Sequence, residues 1–275
     1  MSLIIDAGKN FDFLGSEEFL ANYWRQSPVL IKGAGRDFLN LNLTDGVFKE
    51  ITERLRKNDD PNLTVIDREA VFIERFSDYV PKLGDAAASI SKSLGSPLAW
   101  FDATQTFTND GGLGEHFDHS DNFVILLEGN EKWTLSSPDT ISRETIALRM
   151  LGVEGVGAAP LPKDGRIEFE LEAGDILYMP LFWIHSGLSI GKTLSLSLSV
   201  PALSLKSVFT RAINETFTEL GLGYQPVPFI SAAASGRDRE QTSGQVQKAM
   251  GVLAQKLQDP AVIKAVGEKM TQLIS

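Results

Sequence analysis

Short apolar segments separated by turn residues dominate the chain from about residue 97 to residue 201. Glycine-containing turns lie between them, for example at 109–112 and 172–174. Six or more short strands joined in this way are typical of a sandwich or a barrel. The predicted strands cover 99–108, 122–127, 132–135, 167–171, 175–179 and 193–200.

The last predicted strand alternates strictly between two kinds of side chain. Ser195, Ser197 and Ser199 share one face, and leucines occupy the other. Two interpretations fit this alternation equally well. The hydroxyls line a polar barrel interior, or the strand lies at an edge of the sheet with one solvated face.

Helical patterns flank the strand-rich region on both sides. Ser16 precedes two glutamates and an apolar stripe, which predicts a capped helix. A Gly/Pro/Ser/Ala-rich connector at 221–236 divides the C-terminal helices. A second predicted helix starts at Thr44. Further helices are predicted at 82–94, at 203–220 and at 241–274, the last with an interruption near Pro260. The predicted fold is therefore mainly β with flanking helices. Residues 1–201 form one domain with an N-terminal α/β elaboration and a barrel core at about 97–201, and 202–275 form a helical region.

Composition restricts the possible partners and metal ligands. The net charge is −10, from 26 Lys and Arg against 36 Asp and Glu. Such a field repels phosphate backbones and anionic lipid, so we expect no nucleic-acid or membrane partner. With no cysteine, disulfides, thiolate metal sites and cysteine nucleophiles are excluded, and any metal needs nitrogen and oxygen ligands. No stretch approaches 18 apolar residues, so we expect a soluble, cytoplasmic chain.

The chain has three histidines, and their positions indicate a metal site. His116 and Asp118 are two residues apart, which on a strand directs both side chains to the same side. His119 and Asp121 form a rival pair of opposite parity. Context favours the first pair, because it follows a glycine-rich turn and precedes an apolar run. Downstream, a turn and a buried strand at 174–180 are followed closely by His185. Two histidines and one carboxylate on separate barrel strands are the facial triad of non-haem Fe(II) oxygenases.

Three segments carry a family resemblance: 19–33, the His116–Asp118 segment, and 174–185. From about residue 17 to residue 201 the chain resembles the JmjC/cupin-type Fe(II)- and 2-oxoglutarate-dependent oxygenases. In pattern it is most similar to the bacterial ribosomal-protein hydroxylases and the asparaginyl hydroxylases. The resemblance implies a double-stranded β-helix, or jelly-roll barrel, in which His116, Asp118 and His185 bind iron. It also implies 2-oxoglutarate as cosubstrate, with dioxygen hydroxylating a substrate C–H bond.

One position departs from the family pattern. In this family a lysine or arginine fifteen residues after the first histidine pairs with the distal carboxylate of 2-oxoglutarate. Here that position is Glu131, and Lys132 follows it. A shift of one residue reverses the face of a strand. Three alternatives follow: a bulge turns Lys132 inward, another cation such as Lys192 takes the role, or the cosubstrate binds differently.

Other residues are weaker candidates for cosubstrate contacts. The resemblance suggests Asn122 and Thr106, and Ser197 would line the interior together with Ser195 if His185 does. We expect His119 and Asp121 at the pocket rim or in solvent. We also expect Trp133 and Trp183 to serve packing.

Three functions remain open for such a chain. The first is a hydroxylase of a protein or peptide side chain, which the family match and the acidic charge favour. The second is a hydroxylase of a small metabolite or natural-product intermediate. The third is a non-catalytic metal-binding cupin module, which Glu131 suggests. In the resembling enzymes that act on ribosomal proteins, a dimerisation region and a winged helix follow the barrel. Here only about seventy residues follow Pro201. The resemblance therefore implies a homodimer built on 203–220 and the tail, without a complete winged helix.

Overall fold

The computed structural model places most of the barrel region and two C-terminal helices. The residues that it describes are 3–5, 11–40, 43, 45–66, 69–96, 98–151, 153, 156–202, 205–219, 244, 247, 251, 254–255 and 257–274. The chain divides into two compact units, Met1–Ala202 and Leu203–Ser275. Among the described residues, no helix has the length and apolar character needed to cross a membrane.

The first unit contains one sheet, in which ten strands are described. Its order is β1-β2-β9-β7-β10-β5-β4-β3, with β6 also paired to β10 and β8 to β7. The strands are β1 Ile4–Ile5, β2 Val29–Ile31, β3 Leu63–Ile66, β4 Ala70–Ile73, β5 Trp100–Thr106, β6 His116–Phe117, β7 Ser120–Ser136, β8 Ile167–Glu172, β9 Ile176–Met179 and β10 Ile184–Pro201. The sequence patterns had not indicated β3 and β4.

β7 and β10 are each longer than the sequence predicted. The expected strands 122–127 and 132–135 are one continuous strand, and β10 begins well before residue 193. Gly129 and Gly191 have φ values of 84° and 78°, a region that suits glycine because it has no Cβ. The pairing of β7 with β10 shifts register between Ile190 and Leu194. The turn residues therefore bend a paired ribbon without ending either strand.

Five helices of the first unit are described: α1 Glu17–Asn22, α2 Arg36–Leu39, α3 Asp45–Lys57, α4 Pro81–Ser93 and α5 Arg143–Met150. The predicted cap of α1 is confirmed, since Ser16 Oγ accepts a hydrogen bond from the Phe19 amide at 3.2 Å. Phe19 is fully buried and packs edge-on against Tyr178 of β9, with ring centroids 5.1 Å apart. The N-terminal helices thus cover one face of the sheet.

The two faces of β10 have different surroundings. Leu194, Leu196 and Leu198 belong to the large core cluster beneath the N-terminal helices. Ser195, Ser197 and Ser199 line a cavity on the other face. Of the two interpretations of this alternation, the polar interior is therefore the correct one.

The second unit contains α6 Leu205–Glu219 and α7 Pro260–Ile274. Ala212 of α6 is buried in a small cluster with Val262 and Val266 of α7. Lys269 joins the two helices through Glu219, with Nζ 2.8 Å from Oε1. The connector at 221–236 and most of the predicted helical stretch 241–256 lie outside the described residues.

Candidate metal centre

The three side chains of the predicted triad come together where β6 meets β10. His116 and His185 lie directly opposite each other in this antiparallel pairing, and Asp118 follows β6. The two Nε2 atoms are 3.1 Å apart. Asp118 Oδ2 lies 3.8 Å from Nε2 of His116 and 3.7 Å from Nε2 of His185. One ligand atom of each residue is thus within 4.8 Å of the other two, a spacing that one shared metal ion can bridge.

The backbone orients both imidazole rings. Nδ1 of His116 lies 3.0 Å from the Gly114 carbonyl oxygen, and Nδ1 of His185 lies 2.9 Å from that of Trp183. A carbonyl oxygen only accepts, so each Nδ1 donates and the lone pair of a neutral ring is on Nε2. The two lone pairs then face each other at 3.1 Å, which is unfavourable without a cation between them. This arrangement fits a bound metal ion.

The charges around Asp118 favour the metal-binding protonation states. Arg149 donates to Asp118 Oδ1 at 3.1 Å, and Asn122 Nδ2 donates to Oδ2 at 2.8 Å. Burial acts to raise the pKa of Asp118, but the positive potential of His185, His116 and Arg149 outweighs it and lowers that pKa. Burial and the neighbouring His116 lower the pKa of His185 to about 4. A deprotonated carboxylate and a neutral imidazole are the forms that bind metal.

The triad opens into a cavity of about 390 Å³, here called the barrel cavity. Asn122 and Ser197 line it, as the sequence analysis expected. The Asn122 Oδ1 accepts from Ser199 Oγ at 3.1 Å, which holds the amide in place. Thr106 does not line this cavity. It is buried beside a smaller space, and its Oγ1 lies 2.7 Å from Oγ1 of Thr193.

Lys132 faces away from the barrel interior, contrary to its candidate role. Its Nζ pairs with Glu168 Oε2 at 3.1 Å on the outer face of β7 and β8. The register shift occurs on β10 beyond residue 190, so it does not move the Lys132 side chain to the inner face of β7. Lys192, the second candidate, lies 3.7 Å from Glu128 Oε1 and does not line the barrel cavity. The inward residue is Glu131, which is 5% exposed and whose pKa is raised by burial.

Two further expectations need correction. Asp121 is fully buried rather than at the rim, because it accepts hydrogen bonds from Tyr178 Oη and Arg25 Nε at 2.8 and 3.0 Å. Trp133 packs, as expected, but it also lines the barrel cavity, with its ring centroid 6.0 Å from that of His185. His119 is half-buried in the cavity wall.

Arg149, the cation beside Asp118, was not among the site residues predicted from the sequence. It lies in the last turn of α5, a helix that was not predicted. A usable signal was present, since Ser142 caps the helix by accepting from the Thr145 amide at 3.0 Å. The apolar positions of α5 show little helical periodicity and none of its residues is buried, so the hydrophobic pattern did not indicate it.

Residues 86–208 match the family model for the JmjC domain. Over this segment the chain is similar to the JmjC domain. The matched segment includes most of α4, the barrel strands β5 to β10 and all three residues of the triad. The JmjC resemblance expected from the sequence is therefore confirmed over this segment.

Two curated relatives share this region at low identity. The ribosomal protein uL16 3-hydroxylase of Escherichia coli is 22% identical over 238 residues, covering 80% of this chain and 62% of that protein. The bifunctional lysine-specific demethylase and histidyl-hydroxylase NO66 of Drosophila mojavensis is 27% identical over 179 residues, covering 60% of this chain and 19% of that protein. The chain thus spans less than two thirds of the length of either relative.

A solved structure confirms the fold. The structure of YcfD, a ribosomal oxygenase from Escherichia coli in complex with cobalt and 2-oxoglutarate, matches with a TM-score of 0.59 at 15% identity. The match covers 92% of this chain and 70% of that one. The predicted jelly-roll barrel with flanking helices is therefore correct.

Proposed function

We propose that this chain is an Fe(II)- and 2-oxoglutarate-dependent oxygenase that hydroxylates a protein side chain. The observation that carries the proposal is the pair of Nε2 lone pairs 3.1 Å apart beside the Asp118 carboxylate. Three protein ligands leave adjacent positions on an iron ion for a bidentate 2-oxo acid and dioxygen. His116, Asp118 and His185 would hold the iron, which would supply the activation of dioxygen coupled to the decarboxylation of 2-oxoglutarate to succinate.

The chain's own residues prepare this site in three ways. The carbonyls of Gly114 and Trp183 set the tautomer and direction of the two imidazoles. Arg149 and Asn122 hold the two oxygens of Asp118, so the carboxylate keeps one orientation. Such outer hydrogen bonds tune both ligand geometry and metal affinity. The barrel cavity then holds the substrate close to the metal, where orientation contributes much of the rate.

A protein substrate is supported by two observations. Both curated relatives are hydroxylases, one named for a ribosomal protein and one for histidyl residues. The net charge of −10 favours a basic partner, and ribosomal proteins are typically basic. Such a substrate would place the enzyme in the cytoplasm, where ribosomes are assembled.

The test begins with the anaerobic Fe(II) protein. Titration with 2-oxoglutarate is expected to give a weak visible charge-transfer band, and the variant His185→Ala should lose both iron and the band. His119→Ala is the matched control, because this cavity histidine is outside the triad and iron binding should survive its removal. A wild-type protein that does not bind Fe(II) would refute the proposal.

Substrate class is tested next, in air. Ribosomal proteins and basic peptides are incubated with the iron-loaded enzyme, and succinate and a mass gain of one oxygen atom are measured. Product on such a protein supports the proposal. Turnover only with small metabolites would assign the second function considered above, and iron binding without any turnover would assign a non-catalytic module.

We also propose that the helical region mediates a homodimer. Phe209 of α6 and Ile263 of α7 are large apolar side chains that are 46% and 56% exposed. Exposed apolar surface of this kind is typical of protein contacts. Sedimentation equilibrium should show a dimer, weakened in Phe209→Ser. A monomer at all concentrations would contradict the proposal.

A further inference from the structure

A small recess adjoins the barrel cavity next to the metal triad. It has a volume of about 40 Å³ and shares His116, Trp133 and Ser195 with the wall of the larger cavity. A metal ligand therefore borders the recess directly. Glu131 lines it, so a molecule that is bound at the triad and extends into the recess meets a carboxyl group.

Glu131 belongs to a built hydrogen-bonded unit. Trp133 Nε1 donates to its Oε2 at 2.8 Å, and Thr193 Oγ1 donates to its Oε1 at 2.9 Å. Ser195 also hydrogen-bonds to it. Each partner is a neutral group, and within the described part of the chain no lysine or arginine is paired with this glutamate. Burial without a cationic partner makes the recess unfavourable for a second anion.

Trp133 connects this unit to the metal site. Its indole lies between Glu131, to which it donates, and the His185 ring, 6.0 Å away between centroids. Gly187 makes room for it, because a Cβ at that position would lie 2.6 Å from two indole atoms. The position of the indole, and with it the shape of the recess, is therefore fixed by packing.

Among the described residues, no lysine or arginine lines the recess. Arg149 is the one such residue in the wall of the barrel cavity. Its Nη2 pairs with Asp118, and the residue does not reach the wall of the recess. Glu74 and Asp102 add two further carboxyl groups to the wall of the barrel cavity. A 2-oxo acid with a second carboxylate thus brings an extra negative charge into an already acidic site.

We propose that Glu131 determines cosubstrate selectivity: it opposes a carboxylate at the far end of the 2-oxo acid and favours an uncharged amide end. This inference rests on the proposed function. A carboxylate has lone pairs beyond those its protein partners use, so an amide N–H₂ group has an acceptor to donate to. Its protein partners all donate to Glu131, so the group meets a ligand as an acceptor, and a second carboxylate there finds no donor.

The experiment compares three ligands on the anaerobic Fe(II) protein: 2-oxoglutarate, its amide 2-oxoglutaramate, and the short monoacid 2-oxobutanoate. Dissociation constants are measured from the charge-transfer band and by calorimetry. We expect wild type to bind 2-oxoglutaramate at least about tenfold more tightly than 2-oxoglutarate. Glu131→Gln should remove most of this difference by tightening 2-oxoglutarate binding, with 2-oxobutanoate unchanged. Glu168→Gln, on the outer face, is the matched control and should behave as wild type.

Equal or tighter binding of 2-oxoglutarate by wild type would overturn the inference while the proposed function stands. The same holds if Glu131→Gln folds, as judged by circular dichroism, and keeps the wild-type ratio. If that variant does not fold, the ratio of the wild-type dissociation constants for 2-oxoglutarate and 2-oxoglutaramate decides whether the inference holds. If the protein binds iron but none of the three acids, both the inference and the proposed function fail.

Discussion

Asp102 provides a quantitative test of the polar barrel interior. This carboxyl group on β5 is 6% exposed and accepts hydrogen bonds from the Arg75 amide, the Trp100 indole and the Ser199 hydroxyl. Burial raises its pKa to about 7 from 3.8, although these three hydrogen bonds act in the opposite direction. The folded state therefore binds the proton more tightly than the unfolded state does.

The sign of the effect on stability follows from this shift. A raised pKa stabilises the fold below pH 3.8, and the contribution is lost as the pH rises through about 7. The full difference corresponds to about 4 kcal/mol in the free energy of unfolding. Between about pH 5.5 and about pH 8.5, roughly half of it, about 2 kcal/mol, should disappear. Low net charge favours precipitation near the sequence pI of about 4.9. Both pH values lie above this pI, so the protein keeps a net negative charge in the experiment.

Asp102→Asn removes the titration and keeps a side chain of the same shape. Urea unfolding of both proteins at the two pH values gives the difference in their free energies of unfolding. We expect wild type to lose about 2 kcal/mol relative to the variant as the pH rises. Because every other carboxyl group is common to both proteins, their titrations cancel in this comparison. A difference that stays constant, or that moves in favour of wild type at high pH, would refute the reasoning.

Two further substitutions test the support of the site. Asn122→Ala removes the donor to Oδ2 of Asp118 and one of two acceptors of the Ser199 hydroxyl. Fe(II) affinity measured by anaerobic calorimetry should fall about tenfold or more. Unchanged affinity would contradict a role in holding the carboxylate. Gly187→Ala places a Cβ 2.6 Å from the Trp133 indole. Thermal unfolding should show that the free energy of unfolding falls by about 1–3 kcal/mol, and tryptophan fluorescence should change. Wild-type stability would show that the indole is not confined.

The sequence predicted those features of the site that depend only on residues close together along the chain. The spacing of His116 and Asp118, the turn before them and the buried strand before His185 are short-range features, and they predicted which residues to examine together. The strict alternation at 195–199 likewise predicted a polar face, because successive side chains on any strand point to opposite sides. A sandwich or barrel was predictable for the same reason, since many short strands with turns leave few architectures. The family was expected only from the resemblance of three segments.

Orientation across the sheet was decided by tertiary structure. Sequence alone allowed either Glu131 or Lys132 to face the interior. Which of two adjacent side chains points inward depends on how β7 pairs with β10 and on where the paired strands bend. Asp121 and Arg149 illustrate the same limit, since their partners Tyr178 and Asp118 are 57 and 31 residues away along the chain. Local pattern predicted most of the barrel strands and pointed to the candidate ligands. Long-range register, which no short window of sequence contains, decided which charges the metal site meets.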